Sequence, residues 1–286
     1  MNARLLLPLM FLGSLWLRAA HADDVPDYVR FAENRQSARL ETAIKTFTLP
    51  TGKTVDLVSV VHIADATYYQ ELNRRFDAYD SVLFELVGDP ERLTDGSPLT
   101  GGGTVSTLQQ AASDYLNLSF QLGAIDYTRK NMVHADASAE EFDTMQRERG
   151  ESTLSLFVRA MQAQVNGEIS SSSMRELDTF SLIRILMSED SATQFKKALA
   201  KSLDQMESMT AALEGKSGSV IVGGRNALVL KKIKEVLALK KQRRIAVFYG
   251  AAHMPGIEST LTGEMKAKLS GEEWLPAWTM PMQQAK

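Results

Sequence analysis

Apolar residues gather into short strand-like runs along this chain, and four of these runs end beside a residue whose side chain can do chemistry. The runs and the residues that follow them are 55–61 before His62, 81–84 before Glu85, 219–222 before Arg225, and 245–249 before His253. In open α/β sheets, chemistry takes place just outside the carboxyl ends of the strands. The pattern therefore predicts that two imidazoles, a carboxylate and a guanidinium meet in one pocket.

The spacing of apolar and polar residues predicts an α/β fold. Residues 43–49 and 55–61 flank the turn sequence 50–53, which is typical of a β-hairpin. Apolar residues recur at helical spacing over 66–79, and a strand over 81–86 follows. Strand, helix and strand together form a βαβ unit, whose two strands we expect to be parallel.

The second half of the chain predicts another βαβ unit and a large helical insertion. Strands at 219–222 and 245–249 are joined by a predicted helix over 226–241. The region 138–214 is almost wholly helical in pattern. We therefore expect a central sheet, mostly parallel or mixed, flanked by helices and interrupted by this insertion, which is placed to act as a lid. Smaller predicted elements are a helix at 104–118, a strand at 132–135 before Asp136, a helix ending near 268, and an edge strand at 274–278.

The N-terminus has the pattern of a secretory signal. A basic residue precedes an apolar stretch over 5–16, and the sequence Ala20-His21-Ala22 offers a cleavage site. An uncleaved membrane anchor is the alternative, but small residues stand where cleavage needs them. We expect residues 1–22 to be removed and 23–286 to form one α/β domain. The chain has no cysteine, which suits a bacterial periplasm, where disulfides are permitted but not required.

Composition and charge exclude several classes of partner. The whole chain carries a net charge of −3, and without 1–22 it has 30 Lys and Arg against 35 Asp and Glu. No basic stripe indicates nucleic-acid binding. No apolar stretch of membrane-spanning length remains after the signal. A peptide or another small molecule is the expected substrate, and no particular oligomeric state is predicted.

The four residues at the strand ends suggest a metal site. Two imidazoles and a carboxylate match a facial ligand set that holds zinc, manganese, cobalt or iron and leaves positions open for water. His62, Glu85 and His253 are the predicted ligands, and Arg225 is expected to bind an anionic substrate group or an oxyanion. A purely structural ion pair between Glu85 and Arg225 is the main alternative, because a carboxylate in an apolar strand is usually paired.

Three further residues are candidates for orienting the predicted ligands without contacting the metal. Asp65 is placed to orient His62 or to cap the following helix. Asp136 either points at the same pocket or caps the helix that follows it, and Asn226 is adjacent to Arg225. We interpret His134 as a packed or surface histidine.

The residues around the strand ends resemble the ordered signature of the TraB/PrgY/GumN family, which includes the Tiki proteins. The matching segments are Val60-Val61-His62-Ile63, Phe84-Glu85-Leu86, Gly224-Arg225-Asn226 and Gly250-Ala251-Ala252-His253. The resemblance covers residues 40–265, and Ser59 stands where the family usually has glycine in the first motif. It implies an α/β fold with the matched residues around one site and, for the Tiki proteins, metal-dependent proteolysis.

Our leading hypothesis is an exported metal-dependent hydrolase that cleaves peptide or amide bonds. A second hypothesis is a periplasmic binding module that captures a peptide or an anionic ligand through Arg225. A third is a metal-free, esterase-like hydrolase with His62 as base and Glu85 as its orienting partner.

Overall fold

The computed structural model describes residues 27–93, 116, 118–149, 190–214 and 220–281. The predicted signal over 1–22, nearly all of the helix predicted at 104–118, and the middle of the helical insertion lie outside these residues. The described strands are β1 (Val29–Glu33), β2 (Ser37–Thr48), β3 (Thr54–Val60), β4 (Ile63–Ala64), β5 (Ser81–Phe84), β6 (Ser119–Phe120), β7 (Met132–His134), β8 (Arg244–Gly250) and β9 (Lys268–Pro281). The described helices are α1 (Ala66–Phe76), α2 (Gln121–Ala124), α3 (Ala139–Arg149), α4 (Ser191–Glu214), α5 (Arg225–Ala238) and α6 (Met254–Gly263).

A mixed sheet of seven strands flanked by helices confirms the predicted α/β class. Strands β3, β8, β5 and β7 lie side by side in that order and are all parallel. Strand β2 is antiparallel to all three of its neighbours. Strand β9 pairs along one edge of β2, and β1 and β3 pair with different parts of its other edge. Because β3, β8, β5 and β7 run the same way, their carboxyl ends lie on one edge of the sheet.

The predicted hairpin is confirmed. Strands β2 and β3 are antiparallel, with Ile44 opposite Val58 and Thr48 opposite Thr54. Gly52 in the connecting turn has a φ of 78°, a conformation that glycine adopts without a steric penalty. The hairpin places β3 inside the sheet and therefore places His62 at its carboxyl edge.

Both faces of the parallel strands are buried, which explains why their sequences are almost continuously apolar. On one face, Val58, Val82 and Phe248 pack against α1 and α4. On the other face, Leu57 and Val247 join a second cluster with residues of α5 and α6. The sheet is thus held between two helical layers, and its strand ends have fixed positions.

The predicted strand at 219–222 is wrong. Residues Val220–Gly224 form a single π-helical turn that leads directly into α5. A strand in this position would be expected to lie beside β8, but β8 already pairs with β3 and β5. The second βαβ unit therefore does not exist, and tertiary context overrides the β-branched run.

The last described part of the helical insertion belongs to the core. Helix α4 contributes Ala198 and Ala200 as buried residues, and Leu199 packs against the same apolar cluster. Its Lys196 ammonium donates to the carboxylate of Asp65 over 2.7 Å. This helix is therefore part of the scaffold beside the strand ends.

Within the described residues, no helix is both long enough and apolar enough to cross a membrane.

Candidate functional site

Four parallel strands deliver polar side chains to one edge of the sheet. Strands β3, β8, β5 and β7 are followed by His62, His253, Glu85 and Asp136 respectively. In the structure Glu85 and Asp136 contact Arg225 and His253 contacts Glu85, and we call these four residues the charged cluster. Arg225 reaches the cluster from the first turn of α5 and not from a strand end.

Glu85 is held through both carboxylate oxygens. Its Oε1 accepts from Nη2 of Arg225 over 2.6 Å, and its Oε2 accepts from the backbone amide of Gly250 over 2.6 Å. The side chain is 11% exposed. These two bonds fix the carboxylate at the end of β5, with one side toward α5 and the other toward β8.

Arg225 bridges two carboxylates. Its Nε donates to Oδ1 of Asp136 over 2.8 Å, and its Nη2 donates to Oδ2 of the same carboxylate over 2.5 Å. The Asp136 side chain is fully buried. Because the positive end of the α5 dipole repels a cation in its first turn, the two carboxylates are needed to hold Arg225 there.

The charges of the cluster favour an ionised Glu85. Burial raises the pKa of Glu85, but His253, Arg225 and His62 together outweigh burial and hold this pKa well below its ordinary value of 4.5. Burial likewise lowers the pKa of Arg225, but its bonds and ion pairs with Asp136 and Glu85 raise it overall. Within the cluster, one guanidinium and one imidazole thus face two carboxylates.

The tautomer of His253 follows from its bond to Asn226. The amide nitrogen of Asn226 donates to the carbonyl oxygen of His253 over 3.1 Å, so the amide oxygen faces the ring. That oxygen lies 2.7 Å from Nδ1 of His253. Because an amide oxygen only accepts, Nδ1 carries a proton, and in the neutral ring Nε2 keeps its lone pair.

The second ring nitrogen of His253 faces a carboxylate. Nε2 of His253 lies 3.5 Å from Oε1 of Glu85, and the imidazole is buried. A charge-assisted bond between these atoms would be shorter, at about 2.7–2.9 Å. Unless Nε2 carries a proton, two electron-rich atoms face each other here, a position that suits a cation.

His62 lies at the same edge and is held in a similar way. Its side chain is exposed, and its Nδ1 lies 3.0 Å from Oε1 of Gln121. Its charge is close enough to lower the pKa of Glu85. Strands β4 and β6 pair in a separate two-stranded sheet that carries His62 and Gln121 at its ends.

Two glycines allow close contacts in the site. A Cβ atom on Gly250 would lie 3.2 Å from Oε2 of Glu85. A Cβ atom on Gly256 would lie only 2.6 Å from the amide nitrogen of Asn226, which is too close for any side chain. Small residues near His253 therefore allow α5 and α6 to approach, and Asn226 reaches the imidazole between them.

The remaining predicted residues have other roles. Asp65 takes the N-cap position of α1 but makes no capping bond, and its carboxylate accepts from Lys196 and from the amide of Thr279. Asp136 does not cap α3. Ser138 does so, through reciprocal bonds with Glu141 that form a capping box. His134 is a packed histidine, as interpreted, with its Nε2 2.7 Å from the carbonyl oxygen of Leu86.

Gln121 is the site residue that sequence reasoning missed. It is 2% exposed, and its amide nitrogen donates to the hydroxyl of Tyr127 over 3.1 Å. Nothing in the local sequence distinguishes this glutamine, because its role depends on the pairing of two-residue strands from distant segments. Burial of a long amide side chain is visible only in the folded chain.

The chain matches no protein-family model and no curated protein. Within the described residues, no group of three or more His, Cys, Asp or Glu side chains is placed so that it could hold a metal ion. The family resemblance and the metal thus stay predictions, while the contacts of the charged cluster are structural facts.

Proposed function

We propose that this protein is an exported metal-dependent hydrolase that cleaves peptide or amide bonds. The observation that carries the proposal is the 3.5 Å separation between Nε2 of His253 and Oε1 of Glu85. Two ligands of a tetrahedral zinc ion, each about 2.0–2.2 Å from it, lie about 3.3–3.6 Å apart. The pair is therefore spaced as two neighbouring ligands would be.

The donor set fits a divalent cation of the zinc, manganese, cobalt or iron type. His62, Glu85 and His253 would hold it, and its charge would lie against the Glu85 carboxylate. A metal-ligating histidine usually donates its other ring N–H to an oxygen, as His253 does to Asn226. Such a metal supplies Lewis-acid chemistry, since it lowers the pKa of a water molecule to about 7 and polarises a carbonyl group.

The surrounding residues of the chain position the ligands. Arg225 and the Gly250 amide orient the Glu85 carboxylate, and Asp136 holds Arg225 in place. This arrangement changes the role we assign to Arg225. Because its guanidinium is buried between two carboxylates, we now assign it to orienting Glu85 and not to binding an anionic substrate.

The same contacts bear on the two alternatives. A binding module anchored by Arg225 is less favoured, because that cation pairs with Glu85 and Asp136. A metal-free hydrolase would use His253 as base, since this imidazole and not His62 contacts Glu85. The peptide or amide class of substrate is supported by the resemblance to the Tiki proteins, and export by the signal-like sequence over 1–22.

Metal content and hydrolysis of a peptide library test the proposal. We expect chelator-stripped protein to be inactive and to regain peptide cleavage with Mn²⁺, Co²⁺ or Zn²⁺. His253→Ala should lower metal affinity by more than about 100-fold. Loss of a residue that only hydrogen-bonds to a ligand already lowers metal affinity about 10–100-fold. His134→Ala is the matched control and should retain both properties.

Two results would count against the proposal. Cleavage that persists undiminished after complete metal removal would establish the metal-free mechanism. Folded wild-type protein that neither takes up these metals nor cleaves any peptide would exclude a hydrolase of this class.

A further inference from the structure

We propose that Gln121 is a positioning residue that holds His62 in the tautomer with the proton on Nδ1, as Asn226 does for His253. Both imidazoles then keep the lone pair on Nε2. The observation is the 3.0 Å contact between Oε1 of Gln121 and Nδ1 of His62. Gln121 is almost completely buried, whereas His62 is exposed, so a rigid residue holds a solvent-facing one.

Gln121 is fixed at both ends. Its backbone amide donates to the carbonyl oxygen of His62 over 2.9 Å. Its side-chain amide nitrogen donates to the hydroxyl of Tyr127 over 3.1 Å. The backbone bond sets the register between the two residues, and the Tyr127 bond turns the amide oxygen toward the imidazole.

Tyr127 is itself held in the core beside the site. Its ring lies 5.0 Å from that of Phe84, the residue before Glu85. Burial and the negative charge of Glu85 raise the pKa of the Tyr127 hydroxyl, which therefore stays protonated. A neutral hydroxyl can accept from Gln121, so the donors and acceptors of Tyr127, Gln121 and His62 are mutually compatible.

The two histidines are thus oriented in the same way, by amide side chains from different parts of the chain. Asn226 belongs to the first turn of α5 and Gln121 begins α2. Each places an amide oxygen against Nδ1, at 2.7 Å for His253 and 3.0 Å for His62. Two ring nitrogens with lone pairs suit metal ligation, and only this consequence rests on the proposed function. The tautomer itself does not depend on it.

Nitrogen-15 NMR of the imidazoles tests the inference without any activity measurement. In metal-free wild-type protein at a pH where His62 is neutral, long-range ¹H–¹⁵N correlations should show its Nδ1 protonated and its Nε2 unprotonated. Gln121→Met removes the acceptor at similar length and should shift His62 toward the other tautomer. Gln121→Glu restores an acceptor and should restore the Nδ1–H form.

A matched control lies at the opposite edge of the sheet. Gln242 precedes β8 at its amino end, so Gln242→Met should leave the His62 spectrum unchanged. With Mn²⁺ or Zn²⁺ as the titrant, Gln121→Met should lower affinity about 10–100-fold, and Gln121→Glu should recover part of the loss.

The possible outcomes distinguish a failure of this inference from a failure of the proposed function. A wild-type spectrum with the proton on Nε2 of His62 would overturn the inference even if no variant folds. An unchanged tautomer in folded Gln121→Met would do the same. The expected tautomers without any metal uptake by wild-type protein would support the inference and refute the proposed metal function.

Discussion

At the scale of single residues, the site is dominated by buried charge. Two carboxylates share one guanidinium, and Nε2 of His253 faces Glu85, the carboxylate that makes the single bond to the arginine. Burying charge is unfavourable unless the charge is paired. A cation at Nε2 of His253, whether a proton or a metal ion, would be stabilised by the Glu85 carboxylate.

The acid stability of the metal-free protein should report on Glu85. Its pKa is depressed in the folded state, so its stabilising contribution is present above the ordinary value of 4.5 and is lost as pH falls below it. In EDTA, the free energy of unfolding of wild-type protein should fall faster than that of Glu85→Gln between about pH 4.5 and 2.5. The difference in slope should approach about 1.4 kcal/mol per pH unit. Parallel curves from denaturant titrations would show that Glu85 is not held as described.

Several site residues could be predicted because they follow strands with a typical apolar sequence pattern. Glu85 interrupts one apolar run, and His62 and His253 each follow another. Because the strands are parallel, the three residues lie at the same edge of the sheet. The contact between Glu85 and Arg225 was foreseen as an ion pair. The sequence does not predict that Asp136 accepts two bonds from Arg225. Two roles for Asp136 fit the sequence equally, and only the position of α5 beside the end of β7 decides between them.

At the scale of elements, the site depends on how closely α6 approaches α5. Gly256 in α6 leaves room for Asn226 in α5, and Asn226 in turn orients His253. The helices α5 and α6 also share one apolar cluster through residues such as Ile233 and Ile257. Orientation of the imidazole is therefore set by the packing of two helices.

Gly256→Ala should disturb His253 without altering any polar group. The added methyl would lie 2.6 Å from the Asn226 amide nitrogen, so the amide must shift. We expect a loss of about 1–3 kcal/mol in the free energy of unfolding, typical of overpacking, and metal affinity lower by about 10-fold or more. Denaturant titration and calorimetry measure the two effects.

Gly263→Ala provides the control in the same helix. A Cβ atom there meets nothing within 4 Å, so this variant should be neutral or slightly more stable. Equal behaviour of the two alanine variants would contradict the role we assign to the contact between Gly256 and Asn226.

Element prediction succeeded where apolar periodicity and tertiary context agree. The hairpin of β2 and β3 and helix α1 follow their sequence patterns. The run at 219–222 has β-branched residues but no place beside β8, so it becomes helical. Strand β1 was missed because its sequence, Val-Arg-Phe-Ala-Glu, is short and partly charged, and pairing with β2 stabilises it.

At the scale of the whole molecule, the seven-stranded sheet turns distant sequence segments into one site. The segments that carry His62 and His253 begin side by side, because Val60 pairs with Gly250 at the ends of the parallel neighbours β3 and β8. Two helical layers bury both faces of these strands, so the positions of the strand ends are rigid. Such a scaffold suits a site whose ligands must be held in place before a cation binds.

The most direct measurement is anomalous diffraction from crystals of the protein grown with Zn²⁺ or Mn²⁺. The account predicts an anomalous peak at about 2.0–2.2 Å from both Nε2 of His253 and Oε1 of Glu85, with Arg225 still bridging Glu85 and Asp136. Data to good resolution that show metal elsewhere on the surface and none between His253 and Glu85 would contradict it.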